Sequence, residues 1–72
     1  MNFHIIFANG RQIRIVEATR TIVSDGALVI VLQGQDLTFN LNFVAAVVPA
    51  SDDDEMLNQV MGTLFPTDLT SN

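Results

Sequence analysis

Residues 25–41, DGALVIVLQGQDLTFNL, limit what this chain can fold into more than any other stretch. The arm Ala27 to Gln33 is apolar from Ala27 through Leu32, and the arm Asp36 to Leu41 alternates Leu37, Phe39 and Leu41 with Thr38 and Asn40. Gly34-Gln35 suits a two-residue hairpin turn with glycine first. That turn sets Leu28, Ile30 and Leu32 opposite Leu41, Phe39 and Leu37, an entirely apolar face. Val29 and Val31 share the other face with Asn40 and Thr38. A strand apolar on both sides is usually central, with something covering each face.

A second hairpin signal, Asn9-Gly10, lies between Phe3 to Ala8 and Arg11 to Ala18. A two-residue loop there would mix polar and apolar side chains on both faces. A three-residue loop, Ala8-Asn9-Gly10 with Gly10 left-handed in a bulge, pairs Phe7 with Arg11, Ile5 with Ile13 and Phe3 with Ile15. One face then carries Phe3, Ile5, Phe7, Ile13 and Ile15, and the other His4, Ile6, Gln12, Arg14 and Val16. Register follows the hydrophobic pattern, which favours the bulged form.

Thr19 to Val23 is β-branched and reads as a short strand or an irregular crossing, ended by the turn Ser24-Asp25-Gly26. Asn42 suits a turn. Val44 to Val48 reads as a strand of open register, stopped by Pro49, which cannot donate to a ladder. Ser51 or Asp52 is then expected to cap a helix, with Asp52 and Glu55 spaced as a capping box. Leu57, Val60, Met61, Leu64 and Phe65 form its apolar stripe, with Gly62 as the expected stop. Thr67 to Asn72 is a polar tail expected to fray. The domain therefore spans residues 1–66.

A chain of 72 residues holds one domain with a marginal core. It has no cysteine, so disulfides and thiolate metal sites are out, and oligomerisation is the staple left to it. Three arginines, no lysine and eight acids give a net charge of −5, the wrong sign for neutralising phosphates. Direct nucleic-acid binding and an anionic membrane are not expected partners. The apolar runs fall short of the roughly 18 residues of a membrane span. Met1 to Ala8 lacks the basic region and cleavage site of a secretory leader, and a cytoplasmic location is expected.

Little in the chain suggests chemistry. His4 is the only histidine, and Glu17 is the only acid in its hairpin. No second histidine or lysine stands ready as base for a hydroxyl nucleophile. The four glycines lie too far apart for a phosphate loop. Asp52, Asp53, Asp54 and Glu55 lack the alternate-position ligands of a calcium loop and suit a helix N-terminus, whose dipole favours carboxylates. No enzyme, cofactor or metal is expected. Arg11, Arg14 and Arg20 are the only cations, and Arg14 shares its face with aliphatic residues, as at protein interfaces.

The layout FANG, then DGALVIVL, then LTFNLNFVAAVVP, over Phe3 to Pro49, resembles that of short uncharacterised β-meander proteins of phages and mobile elements. The resemblance implies a small host-interacting or assembly protein and assigns no residue a role.

These readings converge on a mainly β (α+β) chain. It is expected to be an antiparallel β-meander of five to six strands, a small sandwich or partly closed barrel, with one C-terminal helix. The helix stripe is expected over Leu28, Ile30, Leu32, Leu37, Phe39 and Leu41, leaving a semi-apolar face with Ile6, Arg14, Val16, Val29 and Val31. Large exposed apolar patches are seldom idle. The expected function is a small, acidic, non-enzymatic protein-binding module that forms a homo-oligomer, a dimer or more, through that face or a strand edge. An alternative is a phage-type inhibitor that presents Asp52, Asp53 and Asp54 to a nucleic-acid-handling host protein, since six acids and no cation follow residue 33. A further alternative is a structural assembly subunit.

Overall fold

Asn9-Gly10 turns the chain as its apolar pattern demands. In the computed structural model, which describes residues 1–66, strand β1 (Phe3–Phe7) runs antiparallel to β2 (Gln12–Ile15). The pairs are Phe3 with Ile15, His4 with Arg14, Ile5 with Ile13 and Ile6 with Gln12. The Phe7 N–H donates to the Arg11 carbonyl at 2.8 Å and the Gly10 N–H to the Phe7 carbonyl at 2.9 Å. Gly10 has φ +88°, the left-handed residue that the bulged loop requires.

The undecided segment after it is a strand, β3 (Arg20–Ser24). Asp25 (φ 52°) and Gly26 (φ 75°) close a two-residue turn onto β4 (Ala27–Leu32), with Ser24 opposite Ala27. Both turn residues are left-handed, the type I′ geometry that suits strand twist.

β4 then pairs with β5 (Gln35–Asn40), and here the expected register is wrong. Leu28 faces Phe39, Ile30 faces Leu37 and Leu32 faces Gln35, so the loop is Gln33-Gly34 and glycine comes second. Gly34 has φ +86° and Gln33 is not left-handed, so the positive φ falls at the second loop position, as a type II turn needs. The error is two residues. Side chains alternate with period two, so this slip leaves every residue on its expected face, and the apolar pattern alone could not detect it.

A short 3-10 turn (Leu41–Phe43) is capped by the Asn40 side chain, which accepts from the Asn42 N–H at 2.8 Å. It returns the chain to β1 as β6 (Val44–Pro49). Phe3 pairs with Pro49, His4 with Val48, Ile5 with Val47 and Ile6 with Ala46, and a bulge then brings Phe7 opposite Val44. The result is two three-stranded antiparallel sheets, ordered β2-β1-β6 and β3-β4-β5, that do not close into a barrel. Their inner faces share a core of Phe3, Ile5, Ile15, Ala18, Leu28 and Ile30, flanked by Phe7, Leu32, Leu37, Phe39, Leu41 and Val44.

The helix α1 (Glu55–Leu64) does not lie where its stripe was expected. The β2-β1-β6 sheet already covers the Leu28–Ile30 face. Leu57 therefore joins Ile6 and Val48 on the back of the first sheet, with Ala46, Val60, Met61 and Phe65 around them. Leu64, counted in the stripe, remains 40% exposed. Gly62 does not stop the helix. The helix runs to Leu64, where the Phe65 N–H still reaches the Met61 carbonyl at 2.8 Å, and Pro66 disfavours helical geometry at the residue before it. The expected frayed tail, Thr67 to Asn72, lies outside the described residues.

Candidate functional site

The outer face of the β3–β4–β5 sheet is one surface on which the fold leaves apolar side chains incompletely covered, besides scattered exposed side chains such as Val23, Phe43 and Val47. Residues facing outward lie between those facing the core, which orders them into three cross-strand rows: Arg20–Val31–Asp36, Ile22–Val29–Thr38 and Ser24–Ala27–Asn40. The first row puts a cation at one edge and an anion at the other. The middle column, Ala27, Val29 and Val31, is half-buried by its neighbours, and Ile22 is 37% exposed. None of these four belongs to either core cluster. Among the described residues, neither Arg20 nor Asp36 makes an ion pair.

The free strand edges are less inviting. β2 carries Arg14, β3 Arg20 and β5 Asp36, while β6 has no charged residue but ends in Pro49. Charge and proline on an edge discourage another strand from adding to it. The sheet face has no such guard at its centre.

The expected interaction residues do not form one surface. Val29 and Val31 lie on the outer face just described. Ile6 was expected beside them, but it is fully buried beneath α1, because the helix docks on the back of the first sheet. Arg14 pairs with His4 on that same back face and is exposed. Val16, 53% exposed, follows β2 and borders neither group in register. The residues missed by sequence reasoning are Arg20, Ile22 and Asp36. Asp25-Gly26, taken as a type I′ turn, was the signal that could have placed β3.

The acidic run has local work to do. Neither Ser51 nor Asp52 caps the helix, as was expected. Asp53 accepts the Glu55 N–H at 3.1 Å and the Ser51 hydroxyl at 3.2 Å. Those two bonds hold the Asp53 carboxyl below the usual carboxylate range, the Glu55 amide contributing most. A depressed folded-state value means the stabilisation is present above the unfolded value and is lost as pH falls through the folded one. Acidification from about pH 5 to about pH 2 should therefore destabilise the wild type more than Asp53→Asn in thermal melts, the effect being small at so exposed a site.

Asp54 is the N-cap in the left-handed region, φ 56°, yet its carboxylate makes no capping bond. Its Oδ1 lies 3.5 Å from Nε2 of His4, and both atoms are shielded from solvent without a hydrogen-bond partner. His4 itself is only 5% exposed. A carboxylate 50 positions away in sequence is thus brought to the histidine by the turn that starts the helix, a contact no local pattern announces. The Ser51 hydroxyl is bonded to Asp53, so it is not aligned with this pair. Of the three carboxylates, Asp52 and Asp53 are exposed, Asp53 bonded within its own turn, and Asp54 faces His4.

A shallow groove of about 300 Å³ is lined by Met1, Asn2, Phe3, Thr21, Val47 and Pro49. Another, of about 230 Å³, is lined by Phe7, Ala8, Asn9 and Phe43. Neither brings ionisable side chains together. Among the described residues, no group of three His, Asp or Glu side chains could hold a metal ion, and no helix is long and apolar enough to cross a membrane. No protein-family model, curated protein or solved structure matches the chain.

Proposed function

We propose that the chain is a non-enzymatic interaction module that associates with copies of itself through the outer face of its β3–β4–β5 sheet. One observation carries this reading: β4 is apolar on both sides, and among the described residues only its inner side is fully covered. Leu28 and Ile30 are buried in the sandwich, while Ala27, Val29 and Val31 stand on the open side with Ile22 beside them. Such a strand is ordinarily covered on both faces, and among the described residues the helix, the element outside the two sheets, is committed to the other sheet. A cysteine-free chain suits a reducing compartment, and we place this activity in the cytoplasm.

The open face spans three strands and about five residues, roughly 10 Å by 15 Å. That is small beside a standard interface of about 800 Å² per partner, so the association belongs to the weak, concentration-dependent kind. Val29→Lys puts a charge in the centre of the face while leaving the core side of β4 intact. It is expected to abolish self-association with an unchanged circular dichroism spectrum, because an unpaired charge resists desolvation. A variant that associates as the wild type does would exclude this face.

A further inference from the structure

We propose that the second copy stacks face to face on this sheet about a two-fold axis parallel to β4, so that Arg20 of each chain meets Asp36 of the other. The inference rests on the self-association reading above and adds the geometry. Arg20, Val31 and Asp36 occupy one row across the sheet, with the charges on opposite edge strands. Rotation by half a turn about an in-plane axis along the central strand exchanges the two edges and keeps every row at its own height. β3 of the second copy then lies over β5, and Arg20 lies over Asp36, twice. Val31 meets Val31, Val29 meets Val29, and Ile22 lies over Thr38.

The competing in-plane axis, perpendicular to the strands, puts β3 over β3 and reverses the rows. Arg20 would then lie over Ser24, and neither charge would find a partner. The charges thus select one of the two isologous stackings. The selected one keeps strand directions aligned, as in ordinary sheet-on-sheet contacts, whose layers lie about 10 Å apart. It also gives both charges a use, since among the described residues neither has an ion pair within its own chain.

Charge reversal tests this on the full chain by sedimentation equilibrium at low salt. Arg20→Asp and Asp36→Arg should each weaken association roughly tenfold, since each turns two attractive contacts repulsive. The double variant, which restores both contacts, should recover the wild-type constant. Net charge alone cannot mimic this result. Arg20→Asp makes the chain two units more negative than −5 and Asp36→Arg two units less, so a general repulsion would move the two variants in opposite directions.

A second readout uses the absence of native cysteine. Val29→Cys lies on the axis and should be joined in pairs by a short bifunctional thiol reagent, whereas Thr63→Cys, exposed on α1, should not. Association that persists unchanged in both single reversals would overturn this stacking while leaving self-association standing. A wild type that stays monomeric would overturn the self-association reading itself.

Discussion

Ile30→Ala is expected to lower the melting midpoint by about 10–30 °C, as large an effect as truncating any of the fully buried isoleucines. Ile30 is 0% exposed at the centre of β4, set between Thr21 and Leu37 in its own sheet and clustered with Phe3, Ile5 and Ile15 of the sheet opposite. Truncating such a side chain costs about 2–5 kcal/mol, from lost transfer energy and the cavity left behind. A chain of this length has only about 4–11 kcal/mol of stability in all. The neighbouring Val29→Ala, on the outer side of the same strand, should cost the monomer less than about 1 kcal/mol. Thermal melts followed by far-ultraviolet circular dichroism at low concentration check both. Equal losses would mean that the two sides of β4 have been misassigned.

Leu57→Ala is expected to release the helix from the sheets without unfolding them. α1 has 10 residues, and Leu57 is its one buried side chain. A helix of that length is marginal alone, because isolated helices shorter than about 12–15 residues barely form in water. Its order therefore comes from docking on Ile6 and Val48. Removing the Leu57 side chain should cost about 2–4 kcal/mol of that docking. Hydrogen exchange resolved by residue distinguishes the elements. Protection should collapse in Glu55 to Leu64 while the amides of β4 keep theirs. Persistent protection in α1 would show that the helix is held by something other than this contact.

The parts of the fold that local chemistry controls were readable in advance. Asn9-Gly10 and the positions of Phe3, Ile5 and Ile15 led to the bulged first hairpin, because only that loop sorts the side chains into two faces. The apolar run from Leu28 to Leu32 marked the central strand of the second sheet. Register was readable only modulo two, so Gly34 was given the first place in its turn when it takes the second. Layer order was not readable at all. The helix stripe from Leu57 to Phe65 fits any apolar surface, and nothing in its spacing chooses Ile6 and Val48 over Leu28 and Ile30. The choice follows from the competition between a sheet and a helix for the same inner face, which the sheet wins. With that choice Ile6 left the candidate interface and Val29 and Val31 stayed in it. The His4–Asp54 contact was beyond reach for the same reason, since it depends on where the helix docks.

Self-association is the claim on which the functional reading stands, and the mass of the wild-type chain in solution tests it most directly. Sedimentation equilibrium from about 10 μM to about 1 mM should show a reversible rise from the 7.9 kDa monomer towards twice that mass. A single species at 7.9 kDa across the whole range would contradict it.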